Sequence, residues 1–151
     1  MEKYDSEMAA RVWQRVQGEA EQVSPPPVSA QALAAAETEQ AAALLQLSRQ
    51  LQGREKALVR RLYEEEKTHA DILRGIHFLM TGRRVPIRTA PAEGHAPEIA
   101  LRKCYGAALR AMKEYESRSK DAEYGAAFAA LARQDRAHCT MLLEILGSLK
   151  G

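Results

Sequence analysis

Aromatic residues make up only 5% of the 151 positions, with a single Trp. Val, Ile and Thr are thin and Ala is abundant, a balance that favours helix over sheet. Two cysteines far apart in the chain do not make a disulfide framework, so a reducing cytoplasm is the expected compartment. No apolar run reaches the roughly 18 residues of a membrane span, and Met1 to Gly18 is charged throughout. The expectation is therefore neither a transmembrane segment nor a signal peptide. A net charge of +2 is too small to argue for nucleic acid or an acidic membrane surface as partner.

What is present is helical periodicity carrying misplaced polarity. Val59, Leu62, Glu66, His69, Leu73 and Ile76 form one stripe, apolar except for an E-x-x-H pair. Residues three apart share a helix face. An ionisable pair on a core-facing stripe costs several kcal/mol unless it is paired or binds a metal. The pattern returns near the C-terminus as Asp135 and His138, within Leu131, Asp135, His138, Leu142 and Ile145.

Taken in order, residues 1–22 read as an amphipathic helix, with Tyr4, Met8, Val12 and Val16 on one side and Trp13 beside them. Such a stripe is expected to dock on its own domain or on a second copy, giving a homodimer or larger homo-oligomer. Residues 23–28 contain three consecutive prolines and form a stiff linker. The domain proper spans residues 29–151 as four helices. The first starts at Ser29 as N-cap and runs to about Gln52. The second covers Arg54 to Thr81, closed by Gly82. The third opens at Pro97 and the fourth ends near Gly147, with a weak break at 120–122 between them.

Residues 83–97 lack periodicity and hold Pro86, Pro91, Gly94 and Pro97. Fully extended they reach about 50 Å, whereas a helix of about 25 residues is only about 37 Å long. A loop of that length makes sense if it carries the chain back along the whole bundle, the single long crossover of ferritin-like folds. Counting equal distances from each helical turn places residues at one height. Glu37 stands level with Glu66 across the first turn, on the inward stripe Leu33, Glu37, Ala41, Leu44, while Glu39 faces solvent. Across the second turn Asp135 is level with Ala108, so that stripe (Leu101, Tyr105, Ala108, Met112, Tyr115) offers no carboxylate. Glu114 and Glu116 lie well off that level, toward the turn.

With these residues the chain resembles the ferritin-like superfamily, and most closely its rubrerythrin-like branch, over residues 29–149. The resemblance implies an all-α four-helix bundle whose core holds one or two metal ions. It assigns Glu37 as the first-helix carboxylate, Glu66 and His69 as the first E-x-x-H, and Asp135 and His138 as the second. Iron is the metal it implies first, with manganese or zinc as alternatives that suit the same donors. The implied activity is oxidase or peroxide-scavenging redox chemistry, fed by a separate electron donor. This chain departs from the pattern in the shorter Asp135, in Ala108 where the third helix supplies a carboxylate, and in lacking a C-x-x-C iron module. The competing expectation is a helical assembly module whose core polar groups only bond one another.

Four further residues border the site. Tyr105 and Tyr115 flank Ala108, as core aromatics or with Tyr105 as a phenolate ligand. Cys104 and Cys139 stand opposite each other across the second hairpin, as buried free thiols or as a dithiol beside the metal. His77 and His95 read as surface histidines.

Overall fold

A computed structural model describes residues 29–86 and 92–150. The expected N-terminal helix and proline linker lie outside the described residues. Those described form four helices and no strands: α1 (Ala30–Ser48), α2 (Gly53–Thr81), α3 (Pro97–Ser117) and α4 (Gly125–Lys150).

Local chemistry sets most of the boundaries. Helix α1 is rich in Ala, the best helix former, and the Ser29 hydroxyl accepts from the Ala32 amide at 3.1 Å to cap it. It ends at Ser48 rather than at about Gln52, because the chain turns early enough for Leu51 to fold back into the core at 6% exposure. Helix α2 ends on Gly82, whose φ of 70° is the left-handed conformation that glycine adopts without a Cβ penalty. Pro97 occupies the first turn of α3, where its missing N–H has no helical partner to lose. Before α4, the Asp121 carboxylate accepts from the amides of Glu123 and Tyr124 at 2.9 and 2.8 Å. Gly147 keeps a helical backbone instead of capping, so α4 runs on to Lys150.

The helices pack chiefly as two pairs, α1 with α2 and α3 with α4, and the pairs meet through α1 against α3 and α2 against α4. Two apolar clusters fill the space between them. One joins Leu44 and Leu47 of α1, Val59 and Leu62 of α2, Leu101 and Cys104 of α3, and Leu142 and Ile145 of α4. The other joins Leu33 of α1, Leu73 and Ile76 of α2, Tyr115 of α3, and Phe128 and Leu131 of α4. Each buried Leu or Ile contributes about 1.5–3 kcal/mol by leaving water. The connection after α2 begins at the second cluster, where Val85 packs. It arrives at α3 from the other end, where the Gln50 side chain donates to the His95 carbonyl at 3.0 Å.

Candidate metal centre

Between the two clusters lies a polar layer. Glu37 of α1, Glu66 and His69 of α2, and Asp135 and His138 of α4 are all at most 3% exposed. The layer is flanked by Leu33 and Leu44 on α1, Leu73 and Leu62 on α2, and Leu131 and Leu142 on α4, one of each pair in either cluster, so it sits at mid-height. Of the five side chains expected from the sequence, Glu66, His69, Asp135 and His138 come together there, and Glu37 stands beside them with Oε2 3.9 Å from His69 Nδ1. The His69 and His138 rings are stacked, with centroids 5.3 Å apart and planes 14° off parallel.

Ligand atoms from Glu66, His69, Asp135 and His138 lie within 4.8 Å of one another, close enough for a single metal ion. The Nδ1 atom of His138 is 2.7 Å from Glu66 Oε1 and 3.3 Å from Asp135 Oδ1. The Nδ1 atom of His69 faces three carboxylate oxygens: Asp135 at 3.6 Å, Glu66 at 3.8 Å and Glu37 at 3.9 Å. Those separations are too long for hydrogen bonds. Accordingly His69 Nδ1, Glu66 Oε2 and both Asp135 oxygens are buried without a hydrogen-bond partner. Buried polar atoms left unpaired cost about 1–3 kcal/mol each. One cation among them would satisfy all four, and carboxylate with imidazole suits a first-row transition metal.

Charge is concentrated accordingly. Burial raises the Glu66 carboxyl above its usual range, and the neighbouring Asp135 charge adds to the shift, against the hydrogen bond from His138. Burial acts against protonation of His138, but the facing carboxylates of Asp135 and Glu66 outweigh it and push the imidazole up to about 10. Metal and proton therefore compete for this nitrogen.

Helix α3 contributes no carboxylate, as expected from Ala108, which lies buried in the first cluster. Glu114 and Glu116 turn away, to Arg118 at 2.9 Å and Arg136 at 2.7 Å. What α3 contributes is Tyr115, whose hydroxyl donates a short hydrogen bond to Glu37 Oε1. Burial, with the charges of Asp135 and Glu66, raises the Tyr115 phenol and keeps it a proton donor. Tyr105, the alternative ligand, packs against the first cluster instead. Cys104 and Cys139 are buried free thiols. Burial and then the Glu66 charge push Cys104 up to about 12, and burial likewise raises Cys139, so both stay protonated. His77 is half-buried in the last turns of α2, and His95 pairs with Lys103 and Glu93 outside the bundle core.

Three polar side chains escaped the reading of the stripes. Gln40 is buried and donates to the Cys104 carbonyl at 2.8 Å, tying α1 to α3. Glu65 Oε2 is 2.8 Å from His138 Nε2, and Gln134 Oε1 accepts from His69 Nε2. Each of the last two immediately precedes a ligand carboxylate, a local signal that the duplicated motif contained. A groove of about 940 Å³ runs between α1 and α3, lined by Leu33, Ala36, Ala107 and Ala111, and reaches Glu37. Small side chains on both helices leave it open.

No family model, no curated protein and no solved structure matches the chain. Among the described residues, no helix is long and apolar enough to cross a membrane.

Proposed function

We propose that this chain is a ferritin-like, rubrerythrin-like metalloprotein that holds iron at the bundle's mid-height and reduces dioxygen or peroxide there with electrons from a separate donor. The observation that carries the reading is the convergence of four ligand atoms within 4.8 Å, most of them without any other partner. The ferritin-like topology is supported by where the α2–α3 connection begins and ends. Val85 packs at one apolar cluster and His95 is held at the other end of the bundle, the separation that a long crossover connection would span. Manganese and zinc satisfy the same donors; the proposed activity needs a change of oxidation state, which iron and manganese undergo and zinc does not.

When bound, iron would supply electron transfer to a small oxidant at an ion with an open position. The chain's own groups set the surroundings. Glu66 and Asp135 balance the cation's charge, and both histidines present Nδ1. Glu37 stands at the side facing the α1–α3 groove, its second oxygen aimed at the centre while Tyr115 holds the first. Where α3 of the family pattern carries a carboxylate this chain has Ala108, and the α1–α3 groove that reaches Glu37 is the side from which an oxidant would enter. Tyr115 is a neutral phenol that donates a hydrogen bond to Glu37 on that side.

Metal analysis after anaerobic loading with Fe(II), followed by desalting, tests this reading. About one or two equivalents retained per chain are expected, with His69→Ala and His138→Ala losing the ion. Retention below about one tenth of an equivalent for Fe(II), Mn(II) and Zn(II) alike would overturn it. The polar layer would then serve only to order a helical assembly module.

A further inference from the structure

The duplicated motif is one residue longer than E-x-x-H. On α2 it reads Glu65-Glu66-Lys67-Thr68-His69, and on α4 Gln134-Asp135-Arg136-Ala137-His138. The first residue of each reaches across to the histidine of the other helix. Glu65 of α2 accepts from His138 Nε2 at 2.8 Å, and Gln134 of α4 accepts from His69 Nε2. Both enter from the surface: Glu65 is half-buried and held from outside by Arg61 at 3.5 Å, while Gln134 is exposed. Each histidine thus has its outer nitrogen engaged and its inner nitrogen, Nδ1, turned to the carboxylates.

We propose that Glu65 and Gln134 are reciprocal positioning residues that fix both imidazoles with Nδ1 toward the centre and so set its metal affinity. The inference rests on the metal-binding reading above. A neutral imidazole carries one N–H, and the acceptor opposite Nε2 decides which nitrogen keeps it. With Nε2 bearing the hydrogen, the Nδ1 lone pair of His69 is free to ligate, and that of His138 becomes free once Nδ1 gives up the hydrogen it donates to Glu66. Without Gln134, the three carboxylate oxygens around His69 Nδ1 would draw the hydrogen to that nitrogen and block it. The two acceptors are unequal. A carboxylate makes its imidazole more electron-rich than a neutral carboxamide does, so Glu65 strengthens His138 as a donor more than Gln134 strengthens His69.

The two links also cross between α2 and α4, so a purely structural staple is the competing role. Two measurements separate them. The first is the tautomer of His69 in metal-free protein, read from imidazole ¹⁵N shifts. Wild type should show hydrogen on Nε2, and Gln134→Ala should shift the population to Nδ1, with Gln134→Glu restoring the wild-type signature. The second is Zn(II) affinity by chelator competition. Glu65→Ala should lose about 10–100-fold, the range typical of such outer partners, with Glu65→Gln retaining part of it and Gln134→Ala losing less than Glu65→Ala. Gln134→Glu should bind more tightly than wild type. Unchanged His69 tautomers and wild-type Zn(II) affinity in the variants would overturn the proposal, as would a loss of thermal stability alone. If wild type itself binds no metal, the metal-binding reading fails, and the tautomer series still decides whether these side chains orient the rings.

Discussion

Tyr115→Phe isolates the contact between α3 and the centre. The ring is fully buried and stacks on Phe128 at 6.3 Å, and phenylalanine preserves that packing. What is lost is one hydroxyl and its bond to Glu37 Oε1, which leaves a buried carboxylate oxygen without a donor. Hydrogen bonds to charged groups contribute about 1.5–3 kcal/mol, so a loss of about 2 kcal/mol is expected in metal-free protein. For a chain of this size that lowers Tm by roughly 4–8 °C. Urea unfolding of wild type, Tyr115→Phe, Glu37→Gln and the double variant, all in chelator, gives the coupling between the two groups. A coupling of about 1 kcal/mol or more is the expected result. With metal bound the cost of Tyr115→Phe should shrink, because Glu37 gains another partner for its charge. A coupling near zero would refute the reasoning and return Tyr115 to the role of a core aromatic.

Gly125→Ala should destabilise by about 1–3 kcal/mol in thermal unfolding despite alanine's better helix propensity, because a Cβ there would stand 2.5 Å from the Ser119 carbonyl oxygen. A stabilised variant would mean that the α3–α4 turn yields. Asp121 gives a pH test. Its backbone hydrogen bonds from Tyr124 and Glu123 hold the carboxyl below 3.8, so its stabilisation is complete above that value and is lost as pH falls through the lower folded one. The Tm gap between wild type and Asp121→Ala should therefore be constant near neutrality and close in strong acid; a gap that widens on acidification would contradict the cap. Deleting residues 1–24 should lower the mass seen by light scattering if the Tyr4, Met8, Val12 and Val16 stripe joins two copies, and an unaltered mass would remove that role.

Periodicity alone made the all-helical class, the inward stripes and the close grouping of Glu66, His69, Asp135 and His138 legible, with Glu37 buried beside them. An ionisable residue on an apolar stripe is conspicuous, and distance from a helical turn translates directly into height in the bundle. The same logic located Ala108 where a carboxylate was wanted and left Glu39, Glu114 and Glu116 outside. It worked less well at helix ends. Gln52 and Gly147 look like natural stops, but Leu51 had to reach the core sooner and α4 needed no glycine cap.

The partners of the centre were decided by tertiary structure. Tyr105 and Tyr115 lie on the same side of α3 and differ little in local sequence. Only the packing of α3 against α1 chose Tyr115, whose hydroxyl reaches Glu37 while Tyr105 stays among apolar side chains. Glu65 and Gln134 are polar residues beside a buried stripe, marked in the sequence only by the place each holds before a carboxylate of the duplicated motif. Their role follows from the spacing of α2 and α4, which brings each within reach of a histidine on the opposite helix. Side-chain periodicity specifies which face of a helix turns inward; which atom it meets there depends on how closely and at what height the neighbouring helix packs.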